Sequence, residues 1–161
     1  MAIQGYKDES LSEIEKLLVE FPFATNEALL IKSFILNKMG KFEDALDLSQ
    51  TFIKANEEED QNELHSLHRI VRSFSFLKFG NYGKVEELLF GESLLDQIED
   101  LWVRHTMIAV IDNIRGLVFW KKGDLAKSIE YHSNAIERLR ENNVNELLGI
   151  AMNDFSPIYS L

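Results

Sequence analysis

The sequence predicts an all-α protein, a stack of antiparallel helix hairpins, from three observations. First, glycines recur 40 and then 43 residues apart, at Gly40, Gly80 and Gly123, each two residues after a lysine. Second, a small residue stands seven positions before each glycine and a large apolar residue four positions before it. Third, apolar residues between the glycines follow the three- and four-residue spacing of one helix face. Self-similarity at such a period is the signature of a repeat protein.

The repeated positions have a physical explanation as helix, turn, helix. The small residue, which is Ser33, Ser73 or Gly116, lets two helices approach closely, and the large apolar residue one helical turn later fills the seam. The glycine ends the first helix because it accepts a positive φ at little cost. We therefore expect a left-handed backbone at all three turn glycines.

Eight helices are predicted along the chain. They cover residues 10–20, 25–39, 42–55, 61–79, 82–99, 102–122, 125–141 and 144–156. The first has a serine cap, Ser10, with an acid three residues later, and Pro22 stops it. Gly91 lies inside the fifth and predicts a kink or a slipped register, since glycine costs about 1 kcal/mol relative to alanine in a helix. Pro157 predicts that the last helix ends near residue 156 with a kinked or frayed remainder.

Length and composition predict a single domain over residues 1–161, of which 45% are hydrophobic and 27% charged. No cysteine is present, which excludes disulfides and thiolate chemistry. The net charge of -10 opposes binding to phosphate backbones, so nucleic acid is not expected as a partner. No apolar run approaches the roughly 18 residues of a membrane span, and the first residues lack the features of a signal peptide. We expect no membrane association and a cytoplasmic location.

The residue types that carry catalysis in other proteins show no recognisable arrangement. Histidines stand at positions 65, 68, 105 and 132 without a metal-binding signature, and no glycine-rich phosphate loop or serine nucleophile elbow occurs. The acidic run 57–60 precedes the predicted helix 61–79, where it suits the helix dipole. The sequence therefore predicts a protein that is not an enzyme and needs no metal or cofactor.

The turn glycines and the aromatic and small residues around them resemble the tetratricopeptide repeat. The best match is Gly-Asp-Leu-Ala-Lys-Ser-Ile-Glu-Tyr-His-Ser-Asn-Ala-Ile at residues 123–136. The period here exceeds the ~34 residues commonest in that family, so the resemblance is to its members with extended repeats. It implies a right-handed α-solenoid with three repeats and partial flanking helices. These parts are a capping helix at 10–22, repeats at 26–56, 61–99 and 102–142, and a partial repeat at 144–161.

The resemblance also implies a groove lined by the first helix of each hairpin. In the family, the positions ten, six and three before the turn glycine point into this groove, and the partial last helix adds one more here. These positions are Leu30, Phe34, Asn37, Ile70, Phe74, Leu77, Asn113, Leu117, Trp120 and Asn153. Three lysines two before each glycine are candidates for contacts with ligand carboxylates: Lys38, Lys78 and Lys121. The terminal-carboxylate clamp of some members is not expected, because Leu30 and Phe34 are apolar at matching positions.

These features predict a non-catalytic scaffold that binds a protein or peptide segment of apolar or amphipathic character, with Phe34, Phe74 and Trp120 as anchors. Two alternatives stay open. The chain could be the sensor part of a larger regulatory protein that binds a signal peptide or small molecule, or a self-assembling structural element. Apolar residues of the last segment, which include Phe155 and Leu161, also predict a homo-oligomer through an exposed C-terminal end.

Overall fold

The structure, a computed structural model, describes residues 9, 11–16, 19–20, 25–55, 63–89, 95–96 and 98–159. All regular structure in these ranges is α-helical, which confirms the predicted all-α class. A first helix, α1, includes residues 11–16 and 19–20. It is followed by α2 (Thr25–Lys38), α3 (Phe42–Ala55), α4 (Glu63–Lys78), α5 (Tyr82–Leu89), α6 (Leu101–Lys121), α7 (Leu125–Glu141) and α8 (Asn145–Tyr159). None of the helices described is long and apolar enough to cross a membrane.

The helix predicted over residues 82–99 is shorter in the structure, because α5 ends at Leu89. The connection that follows includes Ile98, which is fully buried but not helical. Its N–H donates to the carbonyl of Leu95 at 3.1 Å, and its carbonyl accepts from Arg104 Nε at 2.7 Å. An anchored connection therefore takes the place of the last part of the predicted helix. Gly91, where a kink or slip is predicted, lies outside the described ranges, as do Pro22 and the acidic run 57–60.

The last helix is longer than predicted, since α8 continues through Pro157 to Tyr159. Pro157 lies in the final turn, where its missing N–H removes one hydrogen bond of the helix without ending it. Phe155 also departs from the prediction of an exposed apolar end. It is only 8% exposed, and its ring centroid lies 5.4 Å from that of His132. The predicted apolar end therefore lacks this aromatic side chain, and Leu161 lies outside the described residues.

The three turn glycines have the left-handed backbone that the repeat predicts. Gly40, Gly80 and Gly123 have φ values of 79°, 71° and 83°. The residue after each glycine donates its N–H to the carbonyl five positions earlier, which closes the first helix in a Schellman motif. These bonds join Lys41 to Leu36, Asn81 to Phe76 and Asp124 to Phe119, each at 2.9 Å. The turn chemistry inferred from the glycine spacing is therefore confirmed at all three positions.

Helix contacts divide the chain into two compact units, residues 1–90 and 91–161. In the first unit, α2 packs against α3 and α4, α3 packs against α4, and α4 packs against α5. The small residue Ser33 is fully buried, and the Oγ of Ser49 on the returning helix donates to Ser33 Oγ at 3.2 Å. Phe52 is the largest fully buried side chain among the residues described in that unit. Small and large side chains on neighbouring helices thus form this core.

In the second unit, α6 packs along α7, and α8 packs against both of them. Gly116 of α6 faces the buried ring of His132 on α7, so closely that an added Cβ would overlap the imidazole. Ser128 Oγ donates to the Gly116 carbonyl at 2.9 Å. An apolar cluster around the buried Ala109, Leu139 and Ala151 joins all three helices.

Candidate binding surface

One side of α2 carries large apolar side chains that stay exposed. Ile31 and Phe34 are 50% and 41% exposed, and they lie on one helix face because they are three residues apart. Lys38, one turn further along, places its Nζ 5.3 Å from the centroid of the Phe34 ring. We call Ile31, Phe34 and Lys38 the α2 stripe. Phe34 and Lys38 were predicted from the sequence, whereas Ile31 falls outside the family's groove positions and was not.

The remaining predicted apolar residues of the first unit are less accessible. Leu30 and Phe74 are half-buried, while Ile70 and Leu77 are only 3% and 9% exposed. The structure therefore places Ile70 and Leu77 in the core. The physical reason is that α4 has packing partners in α2, α3 and α5, so little of its circumference remains open. Lys78, at the end of α4, is exposed.

Asn37 serves the contact between α2 and α4. Its Nδ2 donates to the Val71 carbonyl at 3.1 Å, and its Oδ1 accepts from Ser75 Oγ at 2.7 Å. Both ends of the amide are thereby used inside the unit. This residue is a bridge between two first helices, and a ligand would compete with bonds that it already makes.

In the second unit, the predicted surface centres on Trp120. This residue and Leu117 are half-buried, and Lys121 Nζ lies 4.3 Å from the centroid of the Trp120 ring. Asn153 on α8 is exposed. Each unit therefore presents an aromatic side chain from a first helix with the next lysine of that helix over its ring, and such a cation–π contact is worth about 0.5–1 kcal/mol at an exposed site.

Asn113 does not lie on an open face, although the resemblance places it there. It is 5% exposed, and its Nδ2 donates to Asp154 Oδ2 of α8 at 2.9 Å. Its Oδ1 is buried without a hydrogen bond. Asp154 is the neighbour of the residue that sequence reasoning selected, Asn153, and only the orientation of α8 reveals which of the two faces Asn113.

A polar chain that no motif predicts is buried in the first unit. His68 Nδ1 lies 3.3 Å from Ser49 Oγ, which also bonds Ser33, and all three residues are fully buried. The His68 ring stacks on Phe52 with centroids 3.9 Å apart. Burial, with smaller effects from His65 and Arg72, lowers the pKa of His68 to about 4, against the opposing effect of the Asn26 backbone. A serine and a histidine at this distance could form a nucleophile pair, but both side chains are fully buried.

The depressed pKa of His68 predicts acid-sensitive stability. An unfolded chain protonates this ring near pH 6.5 and the folded chain only near pH 4, so stability is complete above 6.5 and falls as the pH drops between these values. Between pH 7.5 and 5.5, wild type should lose about 1 kcal/mol more unfolding free energy than His68→Phe, which keeps a ring on Phe52. Urea titrations at both pH values measure the difference. Parallel losses in the two proteins would contradict the assignment.

The second unit contains a nearly buried carboxylate between two arginines. Asp112 is 5% exposed, with Arg115 Nη1 at 3.7 Å and Arg138 Nε at 3.6 Å. Burial raises the pKa of Asp112, although both guanidinium groups act to lower it. The Arg115 guanidinium also lies 5.8 Å from the centroid of the Tyr131 ring, which stacks on Phe119. These contacts tie α6 to α7, which is their evident role.

The described ranges bring no three histidine, aspartate or glutamate side chains close enough together to hold a metal ion. Comparisons of the chain with known protein families, with curated proteins and with solved structures found no match. The α2 stripe, and the surface that Leu117, Trp120 and Lys121 form on α6, are the candidate binding features among the described residues.

Proposed function

We propose that the chain is a non-catalytic binding module that takes an apolar or amphipathic peptide segment of another protein on the first helices of its hairpins. The observation that carries the proposal is the exposure of Ile31 and Phe34 side by side on α2. Single exposed apolar residues are ordinary, but an aliphatic and an aromatic side chain on one helix face form a contiguous contact surface. Aromatic anchors of this kind dominate the energy of peptide binding.

The tetratricopeptide resemblance supports the same proposal. Each unit has a hairpin whose second helix packs on the following first helix, and each first helix that enters such a turn ends at a glycine in the left-handed conformation. A right-handed solenoid of three hairpins is the arrangement that we propose from this repetition. In that arrangement Phe34, Phe74 and Trp120 belong to first helices and serve as anchors, with Phe34 the most exposed.

The lysines add a second element of recognition. Lys38, Lys78 and Lys121 are all exposed at the ends of first helices, and two of them lie over the ring of a proposed anchor. A peptide that places apolar side chains against Ile31 and Phe34 brings its neighbouring residues close to Lys38. We therefore propose that the preferred segment carries an aspartate or glutamate within about one helical turn of its apolar anchor.

A peptide-display selection against the whole chain tests this function. Selected peptides should be rich in apolar residues with a nearby acid, and they should bind the Ile31→Ala/Phe34→Ala variant at least about 30-fold more weakly, since two truncated anchors each cost more than about 1 kcal/mol. Both side chains are substantially exposed, so the variant should fold with nearly unchanged stability.

The matched control is Phe79→Ala/Ile129→Ala. These residues are 46% and 44% exposed but lie at the turn after α4 and on the second helix α7. Selected peptides should bind this variant as they bind wild type. Equal losses of peptide affinity in the two double variants, or no loss in Ile31→Ala/Phe34→Ala, would contradict the proposed surface. The affinity of the same peptides for Trp120→Ala then shows whether the second unit contributes to their binding.

A further inference from the structure

The turn between α7 and α8 differs chemically from the three glycine turns. It closes in the same way, with the Val144 N–H donating to the Leu139 carbonyl at 3.0 Å. The left-handed position is Asn143, with φ of 57°, whereas glycine holds it at the other three turns. Asparagine tolerates this conformation better than most residues but less well than glycine. Asn143 is therefore also able to continue a helix.

The contacts beneath α8 divide into two parts. Near its start, Val144, Leu147 and Leu148 pack on the cluster of Ala109, Leu139 and Ala151. Its second half rests on polar groups: Asn113, which bonds Asp154, and His132, against which Phe155 packs. Asn113 Oδ1 is buried without a hydrogen bond. Such an atom weakens the seat of a helix, because its lost hydration is not replaced.

From these two observations we infer that α8 is an exchangeable element, which a second copy of this chain can supply in place of the chain's own. The turn at Asn143 straightens, α7 and α8 become one continuous helix, and α8 of each copy packs on α6 and α7 of the other. Every contact beneath α8 is recovered in the exchanged dimer, because the same residues meet. Asn143 leaves its left-handed conformation in both copies. A short turn under strain is the usual hinge for such an exchange.

Helices from other proteins would fit the surface of α6 and α7 beneath α8 less well. A foreign helix would need an acid to meet Asn113 and, one residue later, an aromatic ring to meet His132, as Asp154 and Phe155 do. The second copy carries this pair in the required register. Its α8 also brings Ala151, which is only 1% exposed where it enters the cluster with Ala109 and Leu139.

A pair of substitutions at one position tests the exchange. Asn143→Ala opposes the left-handed turn and favours a continuous helix, so the dimer should form at least about tenfold more tightly than in wild type. Asn143→Gly favours the turn and should weaken the dimer about tenfold. Sedimentation velocity over a range of concentrations measures both. Asn145→Ala is the control, because residue 145 is helical in either arrangement and the dimer constant should not change.

A distance measurement separates exchange from ordinary association. The chain lacks cysteine, so Ser133→Cys and Ser156→Cys carry the only spin labels. In the closed hairpin, the adjacent rings of His132 and Phe155 lie 5.4 Å apart. In a continuous helix the two labelled residues stand about 35 Å apart at 1.5 Å per residue. The dimer, diluted with unlabelled protein, should show the long distance. A dimer with the short distance, or an Asn143→Ala protein that stays monomeric at about 1 mM, would overturn the proposal.

Discussion

Replacing Gly116 with alanine should lower the free energy of unfolding by about 3 kcal/mol, near the upper end of the range for overpacked cores. An added Cβ would overlap the His132 imidazole and come within 2.8 Å of its Cγ. The ring cannot swing into solvent, because His132 is fully buried and packs against Phe155 of α8. Either the ring or the backbone of α6 must move. Urea denaturation followed by circular dichroism measures the loss.

Two further variants test the physical cause. Gly149→Ala makes the same substitution in α8 where no atom lies within 4 Å of the new Cβ, so it should stabilise the helix by up to about 1 kcal/mol. In a His132→Ala background, Gly116→Ala should cost less than about 1 kcal/mol, since the colliding ring is gone. Equal effects at positions 116 and 149 would show that the close approach of α6 and α7 is not a constraint.

Phe52→Ala should destabilise the protein by about 3–5 kcal/mol, as expected for the loss of a buried phenylalanine. Phe52 is 1% exposed and stacks on His68, with His65 tilted against it at 5.1 Å between centroids. Its removal leaves a cavity beside two imidazole rings. Water entering that cavity should also raise the pKa of His68 from about 4 toward the ordinary value near 6.5.

Thermal and urea unfolding give the loss of stability, and NMR titration of the His68 ring gives its pKa. Phe79→Ala is the matched control, since Phe79 is 46% exposed and its ring centroid lies 6.0 Å from that of Phe42 in an edge-on contact. That variant should lose less than about 1.5 kcal/mol and leave the His68 titration in place. If Phe52→Ala loses less than about 1.5 kcal/mol of unfolding free energy and the pKa of His68 does not change, the stack of Phe52 on His68 is not a structural support.

The helices and turns could be predicted from the sequence because their causes are local. Each turn has a glycine with a lysine two residues before it and an apolar residue two residues after it. The pattern recurs at Gly40, Gly80 and Gly123, and this recurrence predicts a positive φ at each of them. The end of α5 could not be predicted in this way. Its connection is held by the bond from Arg104 to the carbonyl of Ile98, and Arg104 belongs to the following helix.

The candidate site was predicted less completely, because exposure depends on neighbours. Leu30 and Ile70 each stand ten residues before a turn glycine in successive hairpins, yet α2 leaves Leu30 half-buried while the packing around α4 buries Ile70. Ile31 lies one turn before Phe34, but the apolar residues of α2 are spread around the helix, so no pattern in the sequence separates its open side from its packed side. Asn37 and Asn113 make hydrogen bonds to Ser75 and Asp154 on other helices. The sequence alone does not identify these partners.

The facing residues at the close contact between the two helices of a hairpin differ between the two units. Ser33 accepts a hydrogen bond from the small Ser49, whereas Gly116 makes room for the large ring of His132. If α7 were to dock on α2, the imidazole would meet the serine side chain, and if α3 were to dock on α6, a void would remain above Gly116. Similar repeats in one chain are prone to mispairing of this kind. These two steric matches therefore favour the pairing of α3 with α2 and of α7 with α6.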